Sequence, residues 1–164
     1  MFNGIIFSTG KITTIKKNNN SIYIGINTKL KFSQKDIGSS VSCNGVCLTI
    51  VKIKANLINF YISRETLQRS NFKLIKSNQI INLEKSLSYG QKISGHFSQG
   101  HVDTVAKVKK IIFFDKTWLM RLKIKDNKLK KFIVEKASIS INGVSLTISK
   151  VNNNYFEINV IPHT

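Results

Sequence analysis

Two copies of a short motif place a small reactive side chain directly after a tight turn. Cys47 follows Asn44-Gly45-Val46, and Ser145 follows Asn142-Gly143-Val144. Asn-Gly is the strongest short signal for a β-hairpin, because both residues tolerate positive φ. In both copies a threonine two positions further on shares the same strand face. A thiol or hydroxyl beside such a turn suits a flat polar ligand; the alternative is a plain hairpin whose small residues only pack.

A second candidate for chemistry is a pair of Gly-His steps, Gly95-His96 and Gly100-His101. Glycine lets a ligand approach the backbone, and histidine is the side chain most easily tuned for proton transfer near neutral pH. The alternative is a linker with ordinary surface histidines. A metal site is not indicated, because His163 is distant in sequence and Cys43 and Cys47 fall short of the four ligands of a zinc site.

These motifs belong to an internal repeat. Residues 41–50 match residues 139–148 at an offset of 98, and residues 4–6 match residues 100–102 at an offset of 96. This period is longer than the roughly 20 to 50 residues of solenoid repeats, so it indicates a duplicated domain. We expect a first unit at 1–95 and a second at 96–164. The second has no counterpart of residues 67–95, so its barrel should lack a closing strand.

Period-two patterns separated by Asn-rich or Asn-Gly turns predict short strands, and such a series is typical of a sandwich or barrel. The predicted strands, besides those of the motifs, are 21–26, 56–62, 79–83, 105–108 and 118–124. Residues 63–70 predict a short helix. Residues 126–133 predict another, with Asp126 as its N-cap.

The net charge of +18 raises the possibility of nucleic-acid binding. The lysines are dispersed, however, and enrichment in Lys, Asn and Ile fits an A/T-rich genome. A stacking platform would also need aromatic residues interleaved with basic ones on one sheet face, and most aromatics fall at core-like positions. Nucleic-acid binding is therefore the less favoured alternative. No apolar run is long enough to span a membrane, so a reducing, cytoplasmic setting is expected.

Six motifs together resemble riboflavin synthases of the two-barrel, lumazine-binding kind (the alpha chain type). The motifs are Met1-Phe2-Asn3-Gly4-Ile5, the stretch 44–49, Arg64-Glu65-Thr66-Leu67, the stretch 95–101, the stretch 142–147 and Ile161-Pro162. They follow the family's order and spacing over the whole chain. The resemblance implies an all-β fold of two tandem, similar six-stranded antiparallel Greek-key β-barrels, the second incomplete at its C-terminus, in a homotrimer.

The resemblance also implies a reaction. One molecule of 6,7-dimethyl-8-ribityllumazine gives a four-carbon unit to a second, and the products are riboflavin and 5-amino-6-(ribitylamino)uracil. No metal or organic cofactor takes part. In the family, the active site lies between the first barrel of one subunit and the second barrel of its neighbour. Two related pockets suit this reaction, because donor and acceptor are the same molecule.

Matched motif by motif, the resemblance assigns the site residues to two pockets. The first pocket would contain Gly4, Ile5, Ile6, Cys47, Leu48 and Thr49, with Thr66 near the ribityl chain. The second would contain Gly100, His101, Val102, Ser145, Leu146 and Thr147, with Lys136, Asn159, Val160, Ile161, Pro162, His163 and Thr164 at its rim. Further substrate-binding positions are Phe2, which could stack on a ring, and Tyr61, Ile62, Ser63, Arg64 and Glu65. His101 is the candidate for proton transfer, and Ser145 and Cys47 for polarising or adding to the lumazine.

The chain departs from the family pattern at several points. Asn3 stands where the family usually has Thr, and His163 replaces the usual Glu before Thr164. The family continues beyond that position with more barrel and a trimer-forming helix, so the sequence could be a fragment. A lumazine- or flavin-binding protein without catalysis is the nearest alternative. Such proteins keep one competent pocket, whereas both motifs are intact here, which favours the enzyme.

Overall fold

The computed structural model describes all 164 residues, and β-strands dominate it. The eleven strands are β1 (Ser8–Asn18), β2 (Ser21–Thr28), β3 (Ser40–Cys43), β4 (Val46–Lys54), β5 (Leu57–Ile62), β6 (Ile80–Lys85), β7 (Ala106–Phe114), β8 (Thr117–Ile124), β9 (Ser138–Ile141), β10 (Val144–Val151) and β11 (Phe156–Val160). The helical elements are α1 (Arg64–Arg69) and three 3-10 helices at Gln34–Asp36, Asn71–Leu74 and Asn127–Phe132. The all-β class is confirmed. No helix has the length and apolarity needed to cross a membrane.

The first unit is a closed antiparallel barrel with strand order β1-β2-β5-β4-β3-β6. Strands β3, β4 and β5 follow one another as hairpins, and β2 lies beside β5, which is a Greek-key arrangement. Strand β6 closes the barrel by pairing with both β1 and β3. The interior is a cluster of 17 buried residues, among them Ile12, Phe60 and Leu83. The predicted first barrel is therefore confirmed.

The second unit repeats this order in a five-stranded sheet, β7-β8-β11-β10-β9. Even the strand irregularities recur: bulges at Ile12/Thr14 and Ile50/Lys52 have counterparts at Val108/Lys110 and Ile148/Lys150. No strand occupies the position of β6, so the unit is a sheet with edges at β7 and β9 rather than a six-stranded barrel. This is the difference expected from the missing counterpart of residues 67–95.

The open side of the second unit changes its core. Its buried apolar cluster has five residues, against 17 in the first unit. Val108 is 44% exposed, although the equivalent Ile12 is fully buried. Strands β7 and β9 are not bridged by a strand equivalent to β6, and Val108 of β7 is exposed.

Local signals explain most element boundaries. Both Asn-Gly turns have positive φ at both residues, as in a type I′ hairpin: 46° and 83° at Asn44-Gly45, and 49° and 85° at Asn142-Gly143. The predicted strands are found with ends shifted by one or two residues, except that β7 continues six residues beyond the predicted end at Val108. β1 was not among them. Only Ile12 and Ile15 are strongly apolar within it, and the bulge between Ile12 and Thr14 breaks the period of two.

Both predicted helices exist, and one differs in type. Ser63 caps α1, where its side chain accepts a hydrogen bond from the Thr66 N–H. Asp126 accepts from the Lys128 N–H, which confirms its N-cap role, but the following segment is a 3-10 helix rather than an α-helix. Its sequence, Asn127–Phe132, carries three lysines and two apolar residues, which gives it little apolar surface to pack on the sheet.

Candidate functional site

The two Asn-Gly turns lie against each other. A Cβ added to Gly45 would be 2.7 Å from the Gly143 nitrogen, and a Cβ added to Gly143 would be 2.9 Å from the Gly45 nitrogen. A side chain at either position would force the turns apart, so glycine is required for close approach as well as for positive φ. A hydrogen bond of 3.0 Å from Asn82 Nδ2 to the Asn142 carbonyl also ties the turns together. The equivalent ends of the two units therefore form one junction.

The segments that lead into each unit cross over to the other unit. The Ser145 N–H donates to the Gly4 carbonyl at 2.8 Å, and the Cys47 N–H donates to the Gly100 carbonyl at 2.8 Å. Gly4 and Gly100 are equivalent positions and have φ of +73° and +74°. The crossing segments also pair with each other, since Phe2 and Ser98 exchange backbone hydrogen bonds of 2.8 and 3.0 Å.

This crossing corrects the expected grouping of the motifs. Gly4 was expected beside Cys47, and Gly100 beside Ser145. Instead Ile6 lies near the Gly143 turn of the second unit, at 3.5 Å from an ideal Cβ on that glycine, and Val102 packs on the core of the first unit. The repeat shows which residues of the two units are equivalent. It does not show whether a leading segment contacts the turn of its own unit or that of the other unit.

Around Cys47, the predicted residues divide into a buried and an open set. Cys47 is half-buried and Thr49 is exposed, whereas the Leu48 side chain is 3% exposed and lies in the core. Ile62 is likewise fully buried, so these two could meet a ligand only through their backbone. Tyr61 is 44% exposed and packs edge-on against Tyr23, with ring centroids 4.9 Å apart.

The start of α1 carries the remaining predicted residues of this region. The Ser63 and Thr66 hydroxyls are 3.1 Å apart, which fixes both side chains. Glu65 forms an exposed i,i+4 ion pair of 2.9 Å with Arg69, while Arg64 is exposed and has no partner. Hydroxyl and charged groups thus lie at the end of β5, on the same side of the barrel as the beginning of β4.

The second unit repeats this distribution in a more open form. Ser145 and Leu146 are half-buried and Thr147 is exposed. In the segment 159–164, only Val160 is partly buried, and a backbone hydrogen bond of 3.0 Å joins Thr164 to Ile161. Lys136 has φ of +67°, a strained conformation for a side chain other than glycine, and its counterpart in the first unit is Gly38.

A histidine other than the predicted one contacts a reactive side chain. Both histidines are exposed, but His96 Nδ1 lies 2.7 Å from Ser145 Oγ, whereas His101 makes no hydrogen bond within the chain. A serine bonded to an imidazole is the usual arrangement for moving a proton to or from a hydroxyl. The Gly-His pattern included His96, but the 96-residue offset gives it no counterpart in the first repeat, so a search based on the repeat favours His101.

Two residues hold the crossing segment of the first unit in place. Glu84 accepts hydrogen bonds from the N–H groups of Asn3 at 2.6 Å and Gly4 at 3.0 Å. Burial raises the pKa of the Glu84 carboxyl, and these two N–H groups act in the opposite direction. Phe2 is 1% exposed, with its ring beside Gly100. Stacking of Phe2 on a ligand would therefore require the junction to open.

The two cysteines differ in their surroundings. Both are free thiols; Cys43 is buried and Cys47 half-buried. Burial raises the pKa of the Cys43 thiol far above its ordinary value, so this residue stays protonated. Cys47 is the thiol open to chemistry. No group of three or more His, Cys, Asp or Glu side chains is arranged to hold a metal ion.

Two cavities lie away from the reactive side chains. One of about 350 Å³ lies beside Asn3, Ile5 and Glu84. Another of about 520 Å³ is lined by Tyr155, Phe156 and residues of the β10–β11 turn, at the opposite end of the second unit from Ser145. Of the predicted site residues, only Ile5 lines either cavity.

The fold defines a class of duplicated all-β proteins. In this class the Asn-Gly turns of two equivalent units lie against each other, and the segment that leads into each unit is hydrogen-bonded to the other unit. Within this class, the chain matches the family described as the lumazine binding domain, over residues 3–86 and 99–164. The chain therefore belongs to the lumazine-binding family of riboflavin synthases.

Individual relatives support this membership. The chain is 35% identical to riboflavin synthase of Photobacterium phosphoreum and 33% identical to that of Escherichia coli (strain K12). Both alignments cover 100% of this chain, and 75% and 78% of the relatives. Among solved structures, LumP complexed with riboflavin has a TM-score of 0.86 at 26% identity, covering 99% of this chain and 88% of that one. LumP complexed with 6,7-dimethyl-8-(1'-D-ribityl) lumazine has a TM-score of 0.82 at 25% identity, covering 98% and 87%.

Proposed function

We propose that the protein is a riboflavin synthase. It transfers a four-carbon unit between two molecules of 6,7-dimethyl-8-ribityllumazine and forms riboflavin and 5-amino-6-(ribitylamino)uracil. Residues 1–95 and 96–164 are its two lumazine-binding units. The observation that carries this proposal is the equivalent construction of the two sites, each with a glycine carbonyl of the other repeat bonded to the N–H of Cys47 or Ser145. A reaction between two identical molecules needs two such sites, whereas simple binding needs one.

Most of the rate acceleration comes from holding the two substrates in register. Effective molarities of well-oriented groups reach about 10⁵ to 10⁸ M. The 7-methyl group of the lumazine is an acidic carbon, because its anion delocalises into the ring. One positioned proton acceptor therefore supplies only about 10²- to 10⁴-fold. In this proposal His101 serves proton transfer, and Cys47 and Ser145 polarise or add to the two rings.

The active protein is a homotrimer in the cytoplasm, in which the first unit of one subunit faces the second unit of its neighbour. This arrangement is what membership of the family leads us to expect. Sedimentation of the purified protein with and without the lumazine tests it, and a monomer at catalytic concentration would contradict the trimer.

One assay tests the proposed reaction. Purified protein is mixed with the dimethyl-ribityllumazine, and riboflavin formation is followed by its absorbance. Riboflavin should appear in the ratio of one molecule per two lumazines consumed. Absence of both turnover and lumazine binding, together with salt-sensitive retention on DNA, would favour a basic nucleic-acid-binding barrel instead.

A non-catalytic lumazine- or flavin-binding protein is the second candidate. It is supported by the likeness to LumP, whose solved complexes hold riboflavin, the lumazine and flavin mononucleotide. The two candidates differ in stoichiometry. The enzyme binds two lumazines per chain and turns them over, whereas the binding protein holds its ligand without riboflavin formation. Titration of lumazine fluorescence beside the absorbance assay separates them.

A further inference from the structure

We propose that His96 accepts a proton through the Ser145 hydroxyl, and that Asn3 and Glu84 position this pair. The inference rests on the proposed function and deepens it, because it makes the two pockets chemically unlike. Ser145 is the group that touches the substrate. His96, Asn3 and Glu84 act through it.

His96 and Ser145 belong to a closed ring of hydrogen bonds. Glu84 accepts from the N–H groups of Asn3 and Gly4, at 2.6 and 3.0 Å. The Gly4 carbonyl accepts from the Ser145 N–H at 2.8 Å, and the His96 N–H donates to the Asn3 carbonyl at 3.1 Å. The His96 Nδ1 to Ser145 Oγ contact of 2.7 Å completes the ring. Residues from both units thus hold the Ser145 backbone and the His96 imidazole in one hydrogen-bonded ring.

Asn3 holds the backbone that leads into His96. It is 8% exposed, and its Oδ1 accepts from the N–H groups of Ser94 at 3.0 Å and Gly95 at 2.9 Å. A Cβ on Gly95 would collide with the Asn3 carbonyl oxygen, so glycine is needed for this approach. The backbone leading into His96 is therefore wrapped around a buried amide. These contacts use the side-chain amide of Asn3, at a position where the family usually has threonine.

In the first pocket, no histidine is hydrogen-bonded to the reactive side chain. Cys47 occupies the position equivalent to Ser145, and its N–H is bonded in the equivalent way. The Cys47 side chain, however, makes no hydrogen bond, whereas the Ser145 hydroxyl is bonded to an imidazole. The lumazine in the second pocket is therefore the one deprotonated through Ser145.

The step balances without a further reactant. A C–H bond of the lumazine 7-methyl breaks, its proton moves to Ser145 Oγ, and the hydroxyl proton of Ser145 moves to His96 Nδ1. The electron pair of the C–H bond delocalises into the ring. His96 must begin as the neutral tautomer with its proton on Nε2.

Exchange of the 7-methyl protons with D₂O, followed by ¹H NMR, isolates this step from the four-carbon transfer. His96→Ala and Ser145→Ala should each slow protein-catalysed exchange and kcat by about 10²- to 10⁴-fold. The lumazine Kd of His96→Ala should change by less than about threefold, because binding does not use the imidazole. The double variant should be no slower than the slower single one, since the two residues act as a unit. Gln99→Ala, in the same exposed segment, is the matched control.

The positioning role has its own readout. The ¹⁵N resonance of His96 Nδ1 should report a bonded nitrogen in the wild type and a free one in Ser145→Ala. Glu84→Gln replaces one accepting oxygen by an amide NH₂, so it should shift this resonance and lower kcat about tenfold while Kd is retained. Glu135→Gln, an exposed glutamate of the second unit, should change neither.

The outcomes separate this inference from the proposed function. Wild-type protein that binds lumazine and exchanges its 7-methyl protons without forming riboflavin overturns the proposed function and leaves the inference standing. Riboflavin formation with His96→Ala behaving like Gln99→Ala overturns the inference alone. Wild-type protein that fails to bind lumazine, or binds it without exchange, overturns the inference as well.

Discussion

The crossed junction leads to a prediction about two equivalent glycines. Gly4→Ala should disturb the second unit, and Gly100→Ala the first. An ideal Cβ on Gly4 would lie 2.5 Å from Ser145 Cβ, and one on Gly100 would lie 2.8 Å from Cys47 Cβ. Carbon atoms not bonded to each other pack at about 3.5 to 4.0 Å, so each contact must open by roughly 1 Å.

The expected loss in the free energy of unfolding has two parts, and a control variant separates them. A left-handed φ costs alanine about 1 to 2 kcal/mol at either position. Displacing the partner strand also weakens the hydrogen bond between the glycine carbonyl and the Ser145 or Cys47 N–H, about 1 kcal/mol more. Gly38→Ala carries only the first part, because Gly38 has φ of +90° and no atom within 4 Å of its ideal Cβ. The loss in the free energy of unfolding should therefore be larger for Gly4→Ala and for Gly100→Ala than for Gly38→Ala, by about 1 kcal/mol or more.

Amide hydrogen exchange measured by NMR tests the crossing without reference to catalysis. Gly4→Ala should speed exchange of the Ser145 amide and leave that of Cys47 nearly unchanged, and Gly100→Ala should do the reverse. A displacement of about 1 Å should also lower lumazine turnover by about 10²-fold. If Gly4→Ala exposed the Cys47 amide instead, or behaved like Gly38→Ala, the crossed arrangement would be wrong.

Three further predictions concern charge and thiol chemistry. Arg121→Ala should lower the urea midpoint of unfolding, because it leaves the 5%-exposed Glu157 without its 2.6 Å partner; an unchanged midpoint would contradict this. A thiol reagent should label Cys47 in the folded protein and Cys43 only after unfolding, with mass spectrometry locating the adduct. Because the folded pKa of Glu84 is raised above 4.5, the folded state binds the proton more tightly. Its contribution to the free energy of unfolding should therefore fall as pH rises from about 4.5 through that pKa, and Glu84→Gln should remove this slope in urea unfolding at a series of pH values.

The sequence by itself determined the features that depend on neighbouring residues or on the repeat. Asn-Gly requires positive φ at two successive residues, so both hairpin turns followed from the chain alone. Ser63 and Asp126 cap the first N–H groups of the segments that follow them, which is also a local effect. The offsets showed that two equivalent units exist and that the second lacks a counterpart of β6.

Only the tertiary structure decided how the two copies meet. Gly4 bonds to Ser145 rather than to Cys47, although both partners carry the same motif, because the choice depends on how the units dock. The same docking brings His96 to Ser145 from 49 residues away and buries Phe2 in the junction. Period and propensity describe contacts within a unit. Contacts between units are fixed by the shape of the folded surfaces, which no short window of sequence contains.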